Sequence, residues 1–346
     1  MTTHHLLRTA AFTLTVCLLN SVTLAAQGLL SPTAAPSPSM RTLTQVEPRT
    51  PIPVGIPGDP TAITPASYVI RKSGSYYLTG NLTVATNIAG IIVNDGVNDV
   101  SIDLCGFTLE STLDTPGTAS AINFNGSSMR IRISNGSIIS KSTVSDTGVL
   151  TQKGFFNGIF AVSVLLDSHI SGVRVTGMRD TGIRCSGGLV ENCHVSNCFV
   201  GIDNFNEGIT RHCTARDCSS GGIYTSIVDT CQGSTYSGFG VSCDIAVNSI
   251  GKSNSSFGLY ATTATSCRGI STSSIGLFAL GTATDCYGVV FSNLAGRIGL
   301  RVSGTANTCY GTSNGGAATA LKADIAIGCT SGPGLLDVPV AKRFNM

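Results

Sequence analysis

The chain has 346 residues, a formal net charge of +2, 12% charged residues and no tryptophan. So even a balance offers no basic face for nucleic acid. The 42% hydrophobic share comes from small and branched residues. Beyond the N-terminal leader there is no apolar run of about 18 residues, so no membrane-spanning helix is expected.

Residues 1–26 read as a secretory signal peptide. Arg8 precedes an apolar stretch from Ala10 to Leu19, and Thr23, Ala25 and Ala26 supply small residues where cleavage falls. Removing the leader removes Arg8 and leaves a net charge of +1. The expected location is secreted or cell-surface. Residues 27–66 hold most of the 12 prolines. Ser39 to Glu47 predicts a short helix with Met40 and Leu43 on one side, ended by Pro48. Two roles stay open for this segment: a flexible spacer, or a cap over the end of the fold that follows.

From Tyr68 to Thr83, Gly90 to Val93, Val100 to Leu109 and Met129 to Ile139, short β-forming runs alternate with glycine, asparagine and aspartate turns. These phrases resemble the opening rungs of secreted bacterial right-handed parallel β-helix proteins of the pectate-lyase-like superfold. Gln45 to Ile52 and the ending Phe344-Asn345-Met346 resemble a subgroup from Verrucomicrobia and Planctomycetes. The resemblance covers residues 40 to about 140. It implies a fold and leaves function open, since the superfold hosts lyases, hydrolases, esterases, adhesins and tailspikes. Its lyases hold calcium in an aspartate cluster with an arginine or lysine base, and its hydrolases carry an adjacent acidic pair. No two acidic residues are adjacent in this chain.

From residue 158 onward the chain repeats itself. A glycine followed by an aliphatic residue recurs at Gly158-Ile159, Gly182-Ile183, Gly201-Ile202, Gly222-Ile223, Gly240-Val241, Gly258-Leu259, Gly276-Leu277 and Gly299-Leu300. A second glycine follows at Gly233, Gly251, Gly269, Gly288 and Gly311. Units this short cannot hold a helical pair, which needs about 33 residues. Their alternation has period two, as in Gly182-Ile183-Arg184-Cys185-Ser186. The reading is an all-β, single-stranded right-handed parallel β-helix of about twelve rungs over residues 67–338, with residues 339–346 as a tail. The right hand follows from the chirality of parallel-strand connections.

The cysteines fit the same scheme. Val173, Cys193 and Cys213 align in one inward column, and Met178, Cys198 and Cys218 in another. Cys231, Cys267, Cys286 and Cys309 recur two residues before the later second glycines. Buried thiols are favoured over bridges, because a flat ladder points Cβ vectors in parallel. No CxxC or HxxxH spacing supports a metal site. No cofactor is expected, with Ca2+ entering only under a lyase reading.

Strand parity places the second residue after each repeat glycine outward: Phe160, Arg184, Asp203, Tyr224, Ser242, Tyr260, Phe278 and Arg301. Its aromatic members and polar groups suit a sugar polymer, and Phe160, Arg184, Asp203, Tyr224, Tyr260 and Phe278 are the candidate ligand-binding residues. Ordinary outward β-formers would look the same. Charge concentrates between residues 169 and 217, where Asp203 and Glu207, with Arg184, are the candidates for any catalysis. Glu191 aligns with Arg211 as an ion pair, and Asn204 points inward at a turn. The expected function is a secreted or surface scaffold that binds an extended carbohydrate polymer without catalysis. A polysaccharide lyase or glycoside hydrolase, and a mechanical cell-envelope component, are the rival expectations.

Overall fold

The computed structural model describes residues 48–54, 66–126, 128–161 and 167–338. The leader, the helix expected at Ser39 to Glu47 and the tail 339–346 lie outside them. From Arg49 onward the chain is one compact unit. It is an all-β parallel solenoid of about 13 turns, one more than the repeat count suggests, with no helix among the described residues.

Each full turn passes through three walls. The glycine-aliphatic marks lie in the first wall, where Ile122, Ile159, Ile183, Ile202, Ile223, Val241, Leu259, Leu277, Leu300 and Leu321 stack in register. Every one of these is fully buried or nearly so. The second wall stacks Ile102, Ile133, Ile170, Val190, Thr210, Val228, Ala246, Ala264, Ala283 and Ala306. The third runs through Val175, Val195, Ala215, Gly233, Gly251, Gly269, Gly288 and Gly311. Side chains alternate in and out along each strand, so one inward ladder per wall closes a single core. Thr50–Ile52, inside the proline-rich segment, pairs in parallel with Tyr76 to Leu78 and buries Ile52.

In the second and third walls the inward residues shrink along the chain, from isoleucine and valine in the early rungs to alanine and glycine in the later ones, while the first wall keeps leucine. The repeated glycines mark where backbone meets backbone across the tube. A Cβ built on Gly251 would lie 2.0 Å from the Gly258 carbonyl oxygen, one on Gly233 2.0 Å from that of Gly240, and one on Gly269 2.2 Å from that of Gly276. The two glycine marks of the sequence are therefore partners in one close approach.

A second regularity holds the corner between the second and third walls. Asn192, His212, Thr230, Asn248, Ser266, Asp285 and Thr308 all adopt φ between 48° and 53°. A single left-handed residue turns the chain on each of these rungs. The following residue points inward: Cys193, Cys213, Cys231, Ser249, Cys267, Cys286 and Cys309. Each thiol donates to the carbonyl two residues back, as Cys193 does to Glu191 at 3.2 Å and Cys267 to Thr265 at 3.1 Å. Three of them also accept the backbone N–H of the rung below: Cys213 Sγ from Cys193 at 3.4 Å, Cys231 Sγ from Cys213 at 3.3 Å and Cys309 Sγ from Cys286 at 3.5 Å. Ser249 fills the column with a hydroxyl and makes the same two bonds, to Val247 at 2.7 Å and from Cys231 at 3.1 Å. All twelve described cysteines are free, and ten are buried. Burial pushes the Cys198 thiol up to about 12, and Cys185 and Cys218 shift the same way.

Candidate functional site

The outward ladder of the first wall forms as parity demands. Phe160, Arg184, Asp203, Tyr224, Ser242, Tyr260, Phe278 and Arg301 are successive register partners, continued by Lys322. At about 4.8 Å per rung the eight positions span about 34 Å.

The lower part is charged. Arg184 Nε lies 3.4 Å from Asp203 Oδ2, and its Nη1 lies 3.9 Å from Asp180 Oδ2. The Nε hydrogen has no acceptor in line and is buried. Both carboxylates have side chains 23% exposed, and Arg184 is 37% exposed. Burial raises the Asp203 carboxyl above its ordinary range, Arg184 opposes this and Asp180 adds to it. Asp180 is raised by burial too, against the pull of Arg184 and Arg179. The charges acting on Asp203 are thus Arg184 and Asp180, and Glu207 is not among them. Glu207 sits in a bulge after Asn204, at φ 65°, with its N–H on Ser226 Oγ at 3.0 Å. Asn204 is fully buried and anchors that bulge, donating to Ile209 O at 3.1 Å and accepting from Cys185 Sγ at 3.3 Å.

Above the charges stands an aromatic wall. Phe239 fills the gap left by Ser242, with its ring 6.3 Å from Tyr224 and stacked on Tyr260 at 5.6 Å. Phe257 lies 6.0 Å from Tyr260 and 5.8 Å from Phe278, and Arg301 sits 4.6 Å over the Phe278 ring. Phe239 and Tyr260 cover each other's faces, whereas Tyr224 meets Phe239, and Phe278 meets Phe257 and Tyr260, edge to face. Phe278 is buried, while Tyr224, Phe239, Phe257 and Tyr260 are half-buried. Tyr224 Oη donates to Ser220 O at 3.4 Å, and burial raises its phenol.

Three members of this surface were not singled out from the sequence. Phe239 and Phe257 each stand directly before a repeat glycine, a position that carries the signal. Asp180 is separated from Arg184 by four residues, and its role depends on the corner that folds it back. Outside the ladder, Glu191 binds Arg211 Nε at 2.7 Å and His169 Nε2 at 2.7 Å. The Arg211 hydrogen bond is the main reason its carboxyl lies below the usual range. His194 and His212 are exposed. Among the described residues no group of three His, Cys, Asp or Glu side chains is placed to hold a metal. No helix there is long and apolar enough to cross a membrane.

No protein-family model, no curated protein and no solved structure matches this chain.

Proposed function

We propose that this chain is a secreted or surface-held β-helix scaffold, wound right-handed, that lays an extended carbohydrate polymer along its first wall without cleaving it. The observation that carries the reading is the unbroken register from Phe160 to Arg301. It sets a compact charged trio beside a half-exposed aromatic wall on one straight row. Arginine and carboxylate groups suit sugar hydroxyls, and ring edges and tyrosine hydroxyls supply contact area beside them. Because the rings pack on one another, the wall acts as a rigid flank, and the polar contacts come from Asp180, Arg184 and Asp203.

The test is binding to a panel of plant and bacterial polysaccharides by affinity electrophoresis. The parent protein retards on at least one polymer, and the Tyr224→Ala, Tyr260→Ala double variant retards less. Equal migration of parent and variant on every polymer refutes the reading.

One observation favours a second reading, a glycoside hydrolase or lyase. Asp180 and Asp203 both hold their protons more tightly than free carboxylates and share one guanidinium. A raised carboxyl is what general acid catalysis uses. New reducing ends or unsaturated sugars, lost in Asp203→Asn, would establish it. Calcium dependence abolished by a chelator would point to the lyase form.

A further inference from the structure

We propose that the corner between the first and second walls, on the rungs of Asp99, Arg130 and Asp167, is a separate binding site for an uncharged sugar ring. A cleft of about 370 Å³ opens there, lined by Asp99, Val100, Ser101, Arg130, Arg132 and Asp167. Asp99, Arg130 and Asp167 turn the corner on three successive rungs, at φ 55°, 55° and 57°. Left-handed corner residues recur on other rungs as well, so the conformation is the fold's own way of turning. Two residues further along each strand, Ser101, Arg132 and His169 stack in register. The lining of the cleft therefore draws on both columns, Asp99, Arg130 and Asp167 from one and Ser101 and Arg132 from the other.

Its charges divide into a paired and an unpaired set. Arg130 holds Asp99 through two hydrogen bonds, at 2.6 and 2.8 Å, and this lowers the Asp99 carboxyl. Among the described residues the side chains of Arg132 and Asp167 make no hydrogen bond or ion pair, although both line the cleft and Asp167 adds to the field on Arg130. What a ligand meets is a planar fork of donors, a carboxylate and the Ser101 hydroxyl, within a site of zero net charge. An anion would gain Arg132 and be opposed by Asp167; a cation would meet the reverse. Vicinal hydroxyls donate and accept at once, which fits both groups, and an open polar cleft suits a ring lying flat on the wall.

The experiment is an amide chemical-shift titration of the full chain with cellohexaose, xylohexaose and tetragalacturonate. One uncharged oligosaccharide should shift the signals of Ser101, Arg132 and His169. Arg132→Ala and Asp167→Asn should each weaken that binding at least about tenfold, with unchanged circular dichroism. Arg132→Lys should also weaken it, since an ammonium lacks the planar fork. Three results overturn the proposal: no corner shifts with either uncharged sugar at about 10 mM, preference for tetragalacturonate, or full affinity in Arg132→Lys. The Tyr224→Ala, Tyr260→Ala variant separates this site from the first-wall reading. It should keep the corner shifts, and losing them would show that the corner is no independent site.

Discussion

Cys213 uses its sulfur twice, donating to Arg211 O and accepting from the Cys193 N–H. The sulfur answers the buried Cys193 N–H, while its proton adds a second bond to the Arg211 carbonyl, which already accepts the Asn192 N–H. In native protein, a thiol reagent should therefore titrate exposed Cys105 quickly and half-buried Cys329 slowly, with the ten buried cysteines appearing only in denaturant. A denatured count short of these would reveal bridges. Inward cysteines were legible from strand parity, but their hydrogen bonds were not, because the left-handed corner residue before them varies from Asn192 to His212 to Thr230. Asp203 gives a residue-scale prediction of the opposite kind. Its folded-state carboxyl is raised, so the folded state gains from the proton. The resulting stability is present below the ordinary carboxylate range and is lost as pH rises through it to the raised value. Asp203→Asn should therefore raise the melting temperature at pH 7, with the gain shrinking at about pH 4. A loss at pH 7 would mean that the Arg184 contact outweighs burial.

At the level of the strand, the facing glycines set the width of the tube. Gly251→Ala would drive a methyl into the Gly258 carbonyl, 2.0 Å away, and the opposing atom is backbone with little room to yield. The expected cost is about 3 kcal/mol or more. Gly281→Ala meets nothing nearer than Thr262 O at 3.2 Å and should cost less than about 1 kcal/mol. Urea titrations of both variants check the contrast, and equal midpoints would refute it. The glycine period was visible in the sequence because it is strict. Its cause was not, since Gly251 and Gly258 belong to different walls and meet only after the chain has turned. The outward ladder was likewise readable from period two alone. The company Asp203 keeps was not: the corner at Asp180 and the bulge after Asn204 decide it, and neither follows the repeat.

For the whole molecule, stability is a sum over neighbouring rungs, because each turn touches mainly the one before and the one after. Interior turns have two such neighbours, whereas the last described strand, Leu335–Asp337, has one and leaves Leu335 and Leu336 exposed. Hydrogen exchange should then be graded. Amides of residues 330–337 should exchange first, and those of the first and second walls between residues 221 and 284 last. Uniform protection up to Asp337 would show that something covers that end. The solenoid itself was legible because stacked units must repeat. The extra turn escaped notice because two early rungs lack the glycine mark, carrying Ser67-Tyr68 and Ala121-Ile122 on either side of Gly90-Ile91.

The exchange of sulfur for oxygen at Ser249 has a consequence for how such a chain can change over generations. On the rungs of Cys213, Cys231, Ser249 and Cys309 the corner takes one proton and one lone pair from the incoming residue, and a thiol and a hydroxyl both serve. A gene that doubled or dropped a complete turn would bring matching chemistry to either side of the seam. Length is thus a freely adjustable property of this architecture, and the reach of its outer row would grow or shrink in steps of one strand spacing.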